Sequence, residues 1–210
     1  MSAPIKCFLL EPTDLSQYSL RRYYCGRDDA ADPRCATSGL NYHNAHFVLG
    51  NFTEADAPAK PDKTDNRWPV QCSCGYKFLD TDNWQLFDQS LYRRTDTGEL
   101  TTIDDAPPGA MWRAYWYDLS DTEPLRYGFD WNNLFEAPLM VKTPGDHWNI
   151  DSRCSNCTRL EDKTHRCWCR HGVPPNITVD KNGDTCSAGA GSIIAGNWHG
   201  FLRNGFLTVC

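Results

Sequence analysis

The sequence predicts an α+β fold, predominantly antiparallel β with long loops, held together by zinc knuckles or by disulfides. Three observations predict it. Short apolar runs flank Gly-containing turns at Asp96-Thr97-Gly98, Asn182-Gly183 and Arg203-Asn204-Gly205, the pattern of β-hairpins. Met111 to Tyr117 sets Trp112, Ala114 and Trp116 against Met111, Arg113, Tyr115 and Tyr117, the period-2 alternation of a sheet strand. Eleven cysteines in 210 residues, several of them in close pairs, offer ties for a loop-rich chain.

Taken in order, Ile5 to Leu10 is a first short strand. One helix is expected, with Thr13 as its cap and Leu15, Tyr18 and Arg22 on one face. His46 to Leu49 reads as a strand. Glu54 to Arg67, rich in Ala, Pro, Asp and Lys, reads as a solvated surface loop. Leu91 to Arg94 and Leu100 to Ile103 form a hairpin around Asp96-Thr97-Gly98. Pro107-Pro108-Gly109 is a turn, and residues 118–146, with Pro124, Pro138 and Pro144, read as irregular. Ile177 to Asp180 and Asp184 to Ser187 form a hairpin on Asn182-Gly183. Phe201-Leu202 and Phe206 to Val209 form another on Asn204-Gly205. These readings divide the chain into residues 1–117, β-rich with a cysteine site, and 118–210, with a cysteine knuckle and hairpins, or leave it as one continuous domain.

Composition excludes some function classes. With 21 basic and 27 acidic side chains the formal charge is −6, which argues against non-specific nucleic-acid binding. Arg153 to Arg170 carries five Arg/Lys against two Asp/Glu, a local basic patch only. No apolar run is long enough for a transmembrane helix, so no membrane partner is expected. The N-terminus has no basic region followed by an apolar stretch, so no export signal is expected either. In a reducing compartment, close cysteine pairs read as metal ligands before disulfides.

Two constellations carry this chemistry. Cys154-Ser155-Asn156-Cys157 is a CxxC knuckle, followed after nine residues by Cys167-Trp168-Cys169 with His165 and His171 on either side. Two chelating pairs on short turns can close a tetrahedron of S and N donors around zinc. Cys154, Cys157 and Cys167 are the first three ligands, and Cys169, His165 or His171 is the fourth. The second constellation is Cys72-Ser73-Cys74-Gly75, where Gly75 lets the backbone fold around a thiolate. Its candidate partners are Cys25 and Cys35, with His43 and His46 as substitutes, so a site here would pin the N-terminal segment to the middle of the chain. Cys7, Cys186 and Cys210 have no chelating neighbour. His147 and His199 each adjoin a tryptophan and read as packed, structural histidines.

No reaction is identified. There is no HExxH, no deaminase-type H-x-E with P-C-x-x-C, and no Walker lysine after the glycine-rich Ser187–Ser192 segment. Asp180, Asn182 and Asp184 imitate a calcium loop, but Gly183 is misplaced and the closing Glu is missing. Thiolate-rich closed sites are structural as a rule, so the expected cofactor is a structural zinc.

Several segments resemble an uncharacterised, cysteine-rich family from tailed bacteriophages and bacteria, some of whose members carry an "ammonia monooxygenase" label. They are His165–Val179, Ala188–Ile193 and Trp198–Gly205, with Tyr42-His43-Asn44, Cys72–Tyr76 and Ala106–Trp112 upstream. The likeness spans most of the chain and transfers no catalytic residue. It implies a phage-encoded, metal-stabilised structural or interaction protein, a virion head or tail component that binds other virion proteins. Localisation would be the virion, and the host cytoplasm before assembly, and a homo-oligomer is compatible with that role. The alternatives are a zinc-dependent hydrolase acting during infection and an intracellular factor that binds a host protein.

Overall fold

The computed structural model describes residues 3–25, 34–36, 42–58, 63–114, 138–152, 157–159, 161, 167–181 and 191–210, with the backbone alone for Cys25. Two compact units emerge: Met1–Glu11 with Arg93–Cys210, and Pro12–Tyr92. The first is therefore discontinuous in sequence, and the second is inserted in it. Residue 117, the boundary read from the sequence, lies outside the described residues.

The discontinuous unit is built from short strands. β1 (Ile5–Lys6), β11 (Ile193–Ala195), β12 (Trp198–Arg203) and β13 (Phe206–Val209) form a four-stranded sheet in the order β1-β13-β12-β11. The first strand of the chain thus pairs with its last, Ile5 opposite Leu207. The β12–β13 hairpin turns on Asn204 and Gly205, with φ of 49° and 75°. Positive φ at both central residues is the primed turn whose twist suits a hairpin, and Asn-Gly supplies it at the lowest steric cost. Trp198, Gly200 and Leu202 are buried while His199 and Arg203 are exposed, the alternation of a half-buried strand.

The second sheet of this unit starts with the first residues of β2 (Phe8–Cys25). They run parallel to β6 (Ala110–Arg113), which pairs antiparallel with β7 (Leu139–Lys142), itself paired with β8 (His147–Asn149). β5 (Leu100–Thr101) follows a tight turn in which the Arg94 amide bonds the Glu99 carbonyl at 2.9 Å, on the expected Asp96-Thr97-Gly98 segment. β9 (Cys169–Val173) and β10 (Asn176–Asp180) form a separate hairpin. Met111, Leu139, Val141, Ile150, Ile177 and Leu202 are fully buried in a shared core.

The inserted unit is organised by β2, β3 (Tyr42–Thr53) and β4 (Asn83–Arg94, as far as Tyr92). β2 lies between the other two. Eleven residue pairs join β2 to β3, from Leu15↔Thr53 to Cys25↔Tyr42, with one irregularity at Tyr18/Ser19. Beyond it, Leu20 and Arg22 are buried on one face.

Three expectations are corrected. The fold is mostly antiparallel β and not α+β: among the described residues the one helical element is a 3-10 turn at Glu54–Asp56. The helix expected from Thr13 to Arg22 is the long strand β2. Tyr18, Tyr23 and Tyr24 favour extended backbone, and pairing with a distant strand outweighs local spacing. The Thr13 hydroxyl does not cap a helix but donates to the Leu91 carbonyl at 2.6 Å and accepts from the Leu15 amide at 3.2 Å. Residues 118–146 are not wholly irregular, since β7 lies within them. β10 pairs with β9 across Pro174-Pro175, and the expected partner at Asp184–Ser187 lies outside the described residues.

Candidate metal centre

The inserted unit brings together Cys35, His43, Cys72 and Cys74. Their donor atoms all lie within 4.8 Å of one another. Three of the four residues are buried, and Cys74 is half-buried. Cys72 and Cys74 arrive on a small hairpin closed by the Gln71↔Lys77 bridge. Inside it the Cys72 amide bonds the Tyr76 carbonyl at 2.8 Å, the Gly75 amide the Cys72 carbonyl at 2.9 Å, and the Phe78 amide the Val70 carbonyl at 3.0 Å. Gly75 has φ of 98°, a conformation that a side chain strains. Glycine after Cys74 thus lets the chain turn back while both thiols point one way.

His43 comes from β3, opposite Tyr24 of β2. Its ring stacks on Tyr76 with centroids 4.2 Å apart, and Tyr76 stacks in turn on Tyr24 at 5.3 Å. The stack fixes the imidazole plane, and Nδ1 lies 3.1 Å from Cys74 Sγ. Cys35 Sγ lies 3.9 Å from Cys72 Sγ. A disulfide would put them about 2.05 Å apart. Two thiolates about 2.3 Å from one zinc, at a tetrahedral angle, sit about 3.8 Å apart. The sulfur separation excludes a covalent pair and is compatible with co-ligands of one ion, and none of the described cysteines is in a disulfide.

Electrostatics within the cluster are uneven. Burial opposes charge on Cys72, but the backbone amides of Cys74 and Asn44, with hydrogen bonds from the Cys74 and His43 side chains, outweigh it and hold the thiol below its ordinary value. At Cys74 the Tyr76 amide favours the thiolate, yet burial and the neighbouring Cys72 and Cys35 sulfurs push the thiol up. Thiols that crowd and resist joint ionisation are relieved by a cation among them, which needs them as thiolates. The donor set can hold a metal ion.

Of the expected ligands of this site, Cys35, Cys72 and Cys74 are brought together, and the substitute His43 completes them. His46 is not part of it: it is exposed, with its ring edge-on to Phe87 at 6.3 Å. The side chain of Cys25 lies outside the described residues. In the C-terminal constellation, Cys154 and His165 also lie outside them. Cys157 packs half-buried against the core that contains Cys167. Cys169 and His171 sit on β9, where His171 is exposed and its Nε2 lies 3.0 Å from Asp180 Oδ1 across the hairpin. Among the described residues, Cys157, Cys167, Cys169 and His171 do not converge on one point. His147 packs edge-on to Trp112 at 5.1 Å, and His199 is exposed on β12.

Arg22 is the residue that sequence reasoning missed. It is buried on β2, with its guanidinium bonded to backbone carbonyls at either end of the cysteine hairpin. Its only sequence signal was an arginine on the face assigned to a helix. Among the described residues, no helix is long and apolar enough to cross a membrane. Against known protein families, curated proteins and solved structures, the chain matches none.

Proposed function

We propose that the protein is a metal-stabilised, β-rich interaction protein with a structural zinc on Cys35, His43, Cys72 and Cys74. We further propose that it serves in a tailed phage as a virion head or tail component binding other virion proteins. The observation that carries the metal assignment is the buried, converging four-donor set. Three thiolates and one imidazole make a closed tetrahedron of the structural kind, with no position left for a reactive water. The phage assignment rests on the resemblance of the segments named above.

Zinc and free thiols are measured together on protein purified without reductant or chelator. Near-stoichiometric zinc, lost together with Cys72→Ser or Cys74→Ser, is the expected result. No metal and few free thiols would overturn the zinc assignment. Mass spectrometry of purified particles tests the virion role, which fails if the protein is absent from them.

A further inference from the structure

Arg22 stands out once the metal site is located. Its Nη1 donates to the Pro69 carbonyl at 3.1 Å and its Nη2 to the Leu79 carbonyl at 2.5 Å. These two carbonyls bracket the hairpin that carries Cys72 and Cys74. The guanidinium also lies over the rings of Trp68 and Phe78, at 5.5 and 5.2 Å from their centroids. Both rings flank the same hairpin. On β2, Arg22 is two residues from Tyr24, the partner of His43 in the β2–β3 register, or about 7 Å along the strand.

A buried arginine is a costly way to obtain stability, and its Nε has no hydrogen-bond partner among the described residues. An apolar side chain of similar volume would fill the space with no orphaned donor. What only a planar fork provides is two parallel donors at fixed spacing. That fork spans the two ends of the hairpin, just outside the Gln71↔Lys77 bridge.

We propose that Arg22 is a positioning residue of the metal site: it clamps Pro69 and Leu79 so that the Cys72 and Cys74 thiols already face Cys35 and His43 before metal binds. This rests on the metal reading above and deepens it. Groups that orient ligands without touching the ion govern affinity, and their loss costs about 10–100-fold.

The test uses the full-length chain as wild type, Arg22→Lys and Arg22→Met, each first stripped of metal. Zinc affinity is measured by competition with a chromogenic chelator, and Co2+ spectra report tetrahedral thiolate coordination. Both variants are expected to bind zinc about 10–100-fold more weakly, with altered cobalt ligand-field bands. Lysine should not rescue, because one ammonium cannot bridge two carbonyls. Affinities and spectra equal to wild type in either variant would overturn the clamp. Hydrogen exchange on metal-free wild type needs no variant to fold. Protected amides at Cys72, Gly75 and Phe78 are expected, and rapid exchange at all three would overturn pre-formation. If wild type itself binds no zinc, the metal reading falls instead, so the two failures are distinguishable.

Discussion

At the residue scale, conformation and burial decide more than residue type. Gly75 has positive φ but open space around it, the nearest foreign atom to a built Cβ being the Gln71 side-chain nitrogen at 3.6 Å. Gly75→Ala is therefore expected to cost about 1–2 kcal/mol through backbone strain and not through a clash, read as a lower Tm and weaker zinc binding. Cys7 is a different case. It is buried in the core of the discontinuous unit, and burial pushes its thiol up to about 12, against a partly compensating backbone hydrogen bond from Leu207. The folded value is above the unfolded one, so the contribution is fully present below about pH 9 and is lost as pH rises toward 12. Urea unfolding at pH 8 and pH 10.5 should show stability falling, and Cys7→Ala should flatten that slope. In the sequence Cys7 was merely a cysteine without a chelating neighbour. Its inertness follows from a core assembled by residues far apart in the sequence, among them Met111, Leu139, Ile177 and Leu207.

At the element scale, strand parity selects the histidine. On β3, His43, Ala45 and Phe47 are buried or half-buried, whereas Asn44, His46 and Val48 are exposed. His46 sits an odd number of residues from His43 and points to the opposite face. His43→Ala is expected to abolish stoichiometric zinc and His46→Ala to leave it unchanged, as metal analysis of both variants would show. The sequence made the Cys72-x-Cys74 candidate pair legible because its two donors are local. It left Cys25, Cys35, His43 and His46 open, because choosing among them needs the β2–β3 register, a long-range property. The hairpins at Asp96-Thr97-Gly98 and Arg203-Asn204-Gly205 were legible for the same local reason. β2 was not: Leu15, Tyr18 and Arg22 share helical spacing, but eleven pairs with β3 set the outcome. Leu20, fully buried on β2, should cost about 2–5 kcal/mol as Leu20→Ala, whereas a mutation on a solvated helix face would cost little.

At the scale of the whole molecule, metal should act on one unit. All four donors lie within Pro12–Tyr92. Binding to the native state alone adds about 4 kcal/mol when free metal is a thousandfold above Kd. For a unit of this size, that corresponds to a Tm difference of roughly 15–30 °C. A zinc chelator is expected to deprotect amides of β2, β3 and the cysteine hairpin in hydrogen exchange, while the β12–β13 hairpin keeps its protection. Equal loss in both units would contradict this assignment. The two-unit division was not legible in the sequence, since no change of composition marks Glu11/Pro12 or Tyr92/Arg93, and the chain passes from one unit to the other inside continuous strands.

The nesting of one unit within the other sets an order of events during synthesis. Thr13 bonds to Leu91, so the two ends of the inserted unit can meet once residue 92 has left the ribosome. The outer unit has no such independence: Ile5 must await Leu207. At about 5–20 residues per second, several seconds separate the two. A metal ion bound by the Cys35, His43, Cys72 and Cys74 cluster could therefore be captured while the first strand still lacks a partner, before the sheet that pairs Ile5 with Leu207 can close.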